Sequence, residues 1–240
     1  MPVRALTIDF WNTMVVAHVN GERRRTERFA HLVRTVRRHR PDLEEPAIQA
    51  ALQRAIDRFD ASWRHRHVTP TTPEIVAGIW RELDLQVPED DHVGTVRVFE
   101  EGLLAAPPAL VDGLAETLAW AAGRYRLAII SDTMFSPGRV IRQWLDRHGL
   151  LPYFDAFVFS DETGFSKPDA RAFEQAAAAL SLSPTDLVHI GDLRRTDVRG
   201  ARGVGARAVL FTGVHQDDDG PEPDTVLPRW QDLPALLRPA

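Results

Sequence analysis

Val3-Arg-Ala-Leu-Thr-Ile-Asp9-Phe-Trp-Asn-Thr-Met14 opens with a short apolar run that stops on a carboxylate. Such a run, bounded by polar residues, reads as a buried strand. A carboxylate at the end of that strand is costly without a partner, so Asp9 is expected to do more than close it. The same device recurs downstream. Tyr125 to Ile130 reads as a strand running into Ser131-Asp132-Thr133, and Leu187 to Ile190 as one running into Gly191-Asp192. Ala156 to Phe159 and Ala206 to Phe211 are two further strands. Helical periodicity fills 109–123, 137–148, 168–180, 196–203 and 230–237, and a loop rich in Asp, Gly and Pro covers 214–226.

Strands alternating with helices imply an α/β protein: a Rossmann-like, three-layer core with a parallel sheet between helices. Ligands of such sheets lie beyond the carboxyl ends of the strands. Asp9, Ser131 and Asp192 are therefore expected to border one cleft. Between the first strand and this alternation the pattern is helical, with candidate helices at 21–40, 44–66, 72–84 and 90–104 and no convincing strand. The expected division is an α/β core of 1–16 and 104–240, interrupted by an all-α unit of 17–103.

Composition narrows the function classes. The 240 residues carry a net charge of −5, and 44% of them are hydrophobic. That is an ordinary soluble globular composition, without the positive field of a nucleic-acid binder. No apolar stretch is long enough to cross a bilayer, and the first residues lack a signal-peptide layout, so a cytoplasmic protein without membrane partners is expected. The absence of cysteine excludes disulfides, thiolate metal sites and thiol nucleophiles. Residues 22–40 hold eight arginines against Glu22 and Glu27. They read either as the solvated back of an amphipathic helix or as groups facing an anionic substrate. Lys167 is the only lysine of the chain. Where arginine serves every general cationic role, a lone lysine marks a site that needs a compact point charge.

Two carboxylates, a hydroxyl and a lysine converging on one crevice suit phosphoryl chemistry with a divalent cation. Magnesium takes hard oxygen ligands, and an aspartate can attack phosphorus itself. Four stretches then match a known pattern in order: Asp9-Phe-Trp-Asn-Thr-Met14, Ile129-Ile-Ser131, Lys167-Pro168, and Gly191-Asp192-Leu-Arg-Arg-Thr-Asp197. The chain resembles the haloacid dehalogenase (HAD) superfamily of hydrolases, with a helical cap inserted after the first motif. The resemblance implies Asp9 as nucleophile, and Asp9, the Trp11 carbonyl and Asp192 as Mg2+ ligands. It implies Ser131 on the phosphoryl oxygens and Lys167 offsetting charge, with Asp197 and Thr13 in support. Trp11, Asn12 and Asp132 are expected beside a small, phosphorylated substrate. The assembly is expected to be a monomer or a homodimer.

The pattern breaks at one place. Phosphatases of the superfamily carry an aspartate two residues after the nucleophile, as general acid; here it is Trp11, which does not titrate near neutrality. General acid–base catalysis contributes about 10²–10⁴-fold. Three readings stay open: a phosphohydrolase for good leaving groups or with a borrowed acid such as His18 or Asp132, a dehalogenase-like enzyme acting on carbon, and a catalytically reduced binding or regulatory protein. The phosphonate-cleaving branch needs a cap lysine, which this chain lacks. His65 and His67 are expected at a solvated helix end, His189 as a satisfied strand histidine, and Asp217-Asp218-Asp219 in a mobile acidic loop. Trp11 alone of six tryptophans is expected at the cleft.

Overall fold

The computed structural model describes residues 3–238; residues 1–2 and 239–240 of the expected core lie outside the described residues. The first strand, β1 (Ala5–Ile8), is buried along its whole length. A two-residue strand β2 (Val15–Val16) follows, then four helices: α1 (Gly21–His39), α2 (Glu45–Arg66), α3 (Thr72–Glu82) and α4 (Glu89–Ala105). The remainder runs β3 (Ala109–Leu110), α5 (Leu114–Ala122), β4 (Arg126–Ser131), α6 (Gly138–Arg147), β5 (Ala156–Phe159), α7 (Ser160–Thr163), α8 (Ala170–Ala179), β6 (Leu187–Gly191), α9 (Arg199–Gly203), β7 (Arg207–Phe211), β8 (Thr225–Leu227) and α10 (Leu233–Leu236).

Six strands form one sheet in the order β5-β4-β1-β6-β7-β8, every pair parallel. The expected α/β class is therefore the observed one. β1 lies between β4 and β6, with Ile8 in register with both Ile129 and Ile190. That register, rather than any sequence proximity, aligns Asp9, Ser131 and Asp192 along one edge of the sheet.

Side chains alternate across β1. Leu6 and Ile8 join a large apolar cluster with Leu127, Ile129, Trp144 and Trp230, whereas Ala5 packs with Ala128, Ile130 and Phe173 on the other face. Fully burying one large apolar side chain stabilises by about 1.5–3 kcal/mol, so these two layers pin β1. Phe10, wholly buried and edge-on to Trp144 at 5.3 Å, fixes the chain just past Asp9. The four helices α1–α4 enclose an apolar cluster of their own, built on Leu32, Ile48, Ile79 and Phe99. No helix of the described residues is long and apolar enough to cross a membrane.

Several expectations needed correction. The helix foreseen from 109 begins only at Leu114, because Gly113 takes φ 75° and Ala109–Leu110 pair antiparallel with Val15–Val16. This small ribbon lies where the chain enters and leaves the helical segment. Two residues per strand leave no periodicity to read. The loop 214–226 ends in a sixth strand, β8, whose three residues run parallel to β7. The helix foreseen at 196–203 is a wide turn over Arg194–Val198 followed by the short α9. The last helix is a single tight turn, Trp230–Asp232, leading into α10.

Candidate active site

Lys167 is almost wholly buried, 2% exposed, and its ammonium is shared between two carboxylates. Nζ lies 2.5 Å from Asp9 Oδ1 and 2.6 Å from Asp197 Oδ1. A compact ammonium offers its donors in a tetrahedral spread, whereas a guanidinium presents a flat fork. This explains why the one lysine of the chain stands here.

Asp197 is itself anchored. Its Oδ1 also accepts His189 Nε2 at 2.9 Å, and its Oδ2 accepts the Leu193 amide at 3.0 Å. His189 Nδ1 lies 2.9 Å from Thr7 Oγ1, the residue opposite it in the sheet register. A buried polar chain thus runs from β1 through β6 to Lys167 and back to Asp9, closed over by Phe173 edge-on to the imidazole at 5.0 Å. His189 is the satisfied strand histidine expected. Gly191 has a role that the sequence did not disclose: a Cβ there would meet Asp197 Cγ at 2.2 Å.

The charges settle accordingly. Burial works against the ionised Asp197, but Lys167 and His189 outweigh it and hold that carboxyl far below its usual range. Burial alone would lower Lys167, yet Asp197, Asp9 and Asp132 keep it firmly protonated. Asp9 is pushed up to about 6, because burial outweighs the Lys167 attraction. Asp192 is raised well above its usual range by burial and then by the charge of Asp9.

Asp192 and Asp9 both line one cavity, of about 380 Å³. The only ion-pair contact of Asp192 among the described residues is His215, whose Nδ1 is 3.5 Å from Oδ2. The neighbouring carbonyls of Phe10, Thr13 and Met14 accept Met14 N and Val15 N, Trp230 Nε1, and Val111 N. The Trp11 carbonyl accepts none among the described residues. Two buried, mutually repelling carboxylates beside a free carbonyl are a hard-oxygen donor set of the kind Mg2+ takes, with waters and substrate completing it. Among the described residues no three His, Asp or Glu side chains cluster as a ready-made metal site.

The other expected residues separate. Ser131 Oγ and Thr13 Oγ1 are buried without any hydrogen-bond partner. Asn12 lines the cavity but also shapes the turn, with φ 51° and Oδ1 accepting the Ala17 amide at 3.2 Å. Trp11 lines the same cavity. Asp132, expected beside substrate, lines the cavity; its Oδ1 accepts the Lys167 amide at 3.0 Å and its Oδ2 the Trp63 indole at 2.8 Å. Trp63 comes from α2, and Arg195 stacks over its ring at 4.2 Å. A second tryptophan therefore reaches the cleft, contrary to expectation, because α2 crosses above the strand ends. His67 is not fully solvated either, since its carbonyl accepts the Ser166 amide next to Lys167. Asp217 is likewise held, accepting the Arg194 amide.

A family model described as haloacid dehalogenase-like hydrolase matches residues 3–205. The chain belongs to that hydrolase family. Among curated relatives, a glyceraldehyde 3-phosphate phosphatase of Methanothermobacter thermautotrophicus is 40% identical over 88 residues, covering 36% of this chain and 37% of that protein. A phosphoserine phosphatase of Thermus thermophilus is 38% identical over 84 residues, covering 35% of this chain and 34% of its own. The matched segments thus span little more than a third of these relatives. A HAD phosphatase from Thermococcus onnurineus shares the fold over 98% of both chains, with TM-score 0.71 and 22% identity.

Proposed function

We propose that this hydrolase is a magnesium-dependent phosphatase of a small phosphorylated molecule, acting through an aspartyl-phosphate on Asp9. The observation that carries the reading is the buried Lys167, which binds one oxygen of Asp9 and ties it to Asp197. The in-line attack falls to the remaining oxygen, Oδ2. Lys167 then stands beside the phosphoryl oxygens as their charge changes, a preorganised electrostatic contribution. The unpartnered Ser131 hydroxyl can donate to one of those oxygens. Asp9, the Trp11 carbonyl and Asp192 would hold Mg2+, which supplies charge neutralisation at the transferring group.

The helices α1–α4 act as a cap in this reading, with the β2–β3 ribbon as its hinge. Trp11 cannot protonate a leaving group. No histidine lines the cavity among the described residues, His18 included, and both oxygens of Asp132 already accept hydrogen bonds. The substrate's leaving oxygen is therefore one that departs unprotonated, as in acyl, enol or aryl phosphates. The phosphatase names of the partial relatives support phosphate-ester hydrolysis in general; glyceraldehyde 3-phosphate and phosphoserine are alkyl esters, so the choice of leaving group rests on the cavity lining alone. Phosphate release from acetyl phosphate and 4-nitrophenyl phosphate, dependent on Mg2+ and lost in Asp9→Asn, is the expected result. Chloride release from 2-chloropropionate without metal, and no phosphate release, would replace this reading with the carbon-directed one.

A further inference from the structure

Three arginines of α1, Arg24, Arg25 and Arg28, line the roof of the cavity whose floor holds Asp9 and Lys167. None of them forms an ion pair with a carboxylate among the described residues. Arg24 is accounted for within the fold. Its guanidinium binds the carbonyls of Ala17 at 2.5 Å, Val19 at 3.1 Å and Ala106 at 2.7 Å, clamping the two linkers that join the helical segment to the sheet. Arg25 is an exposed residue at the cavity mouth.

Arg28 is different, because its position is built and its charge is unused. Nε donates to the Phe99 carbonyl at 2.8 Å, and the guanidinium lies over the Phe135 ring at 4.9 Å from its centre. Gly102 on α4 leaves the space for it: a Cβ there would come within 3.2 Å of Nη2. One hydrogen bond, one ring and one missing side chain thus orient the fork, while neither terminal nitrogen has a partner among the described residues. Burial and the neighbouring Arg24 lower its pKa to about 10, so it remains charged at neutral pH without a compensating anion. A partly desolvated guanidinium costs stability unless something pairs with it.

We infer that Arg28 is a specificity residue for a second anionic group of the substrate, a carboxylate or a second phosphate, held at the cap side of the cavity while the reacting phosphoryl group sits on Asp9. This rests on the phosphatase reading above and narrows its substrate class to compact dianionic esters: phosphoryl at one end, an oxyanion at the other. The oriented fork matches the bidentate geometry that carboxylates and phosphates offer. A cavity of about 380 Å³ accommodates such a molecule.

The test compares aryl phosphates alike in size: 3-carboxyphenyl phosphate, the bisphosphate 1,3-phenylene diphosphate, and the neutral-ended 3-carbamoylphenyl phosphate. Charge-assisted hydrogen bonds support a preference of about 10- to 100-fold in kcat/KM for an anionic end over the amide. The better of the two anionic substrates identifies which oxyanion the subsite takes. In Arg28→Met the ratio should fall toward one, and in Arg28→Lys it should recover in part. Because the ratio is taken within each variant, general loss of activity or stability does not imitate the effect. Turnover of all three at a ratio near one, or an unchanged ratio in Arg28→Met, overturns the inference alone. If the folded wild type releases phosphate from nothing, the phosphatase reading fails. Calorimetric binding of the same compounds to Asp9→Asn then decides the subsite separately: a tenfold preference for the anionic end retains it, and equal binding overturns it.

Discussion

Replacing Lys167 by methionine removes the one cation that holds Asp9 and Asp197 together. Its side chain is 3% exposed and those of its two partners are 7% and 2% exposed, so water cannot take over the screening. Removing one member of such a buried pair typically costs about 3–5 kcal/mol, since the remaining charges stay buried and unpaired. The penalty should depend on pH in a particular direction. Asp9 already titrates at about 6, and without Lys167 both carboxylates take up protons more readily. The cost is therefore largest above pH 7 and shrinks as the pH falls through 6. Urea unfolding of wild type and Lys167→Met at pH 7.5 and pH 5.0 measures it. A penalty under about 1 kcal/mol, typical of an exposed pair, or one equal at both pH values, would refute the buried-network reasoning. Because the chain has no second lysine, amine-selective acylation gives an independent check: the Lys167 side chain should resist modification until the protein unfolds.

Other outcomes follow from the same geometry. Asp9 has a folded-state pKa raised from 3.8 to about 6, so its contribution to the metal-free protein is favourable below pH 4 and is lost as pH rises through 6. The melting temperature of the wild type relative to Asp9→Asn should decline across that window and recover with saturating Mg2+; a flat difference contradicts this. Trp63→Phe should cost about 1–3 kcal/mol by leaving the buried Asp132 oxygen without its donor. It should also raise KM more than it lowers kcat, checked by steady-state kinetics beside thermal unfolding. Gly191→Ala should displace Asp197 and abolish activity in a chain that still folds, as judged by circular dichroism and phosphate release.

Much of the fold was legible because buried parallel strands are apolar runs with abrupt polar ends. β1, β4, β5, β6 and β7 all carry that signature. The elements missed, β2, β3 and β8, have two or three residues and take their structure from a partner strand rather than from their own pattern. At the cavity, Asp9, Lys167 and Asp192 were legible as strand-end and motif residues, whereas Ser131 is buried at the end of β4 and is not among the lining residues. The chain from Thr7 through His189 to Asp197 was not, because it depends on the cross-strand register of β1 and β6. Asp132 was legible as a cleft residue, and it lines the cavity, but its partner was not. Its position past β4 faces the cleft, but a tryptophan from a helix 69 residues away occupies one of its oxygens. The arginines of α1 were legible as a charge run facing either solvent or an anionic substrate; which of them turn inward is decided by the packing of α4 against α1.

The central claim is that Asp9 becomes covalently phosphorylated. Wild-type protein incubated with radiolabelled acetyl phosphate and Mg2+, quenched in acid and digested, should carry an acid-stable, base-labile label on the peptide containing Asp9, absent in Asp9→Asn and without the metal. Rapid phosphate release with no label on that peptide, or a label that persists in Asp9→Asn, would contradict it.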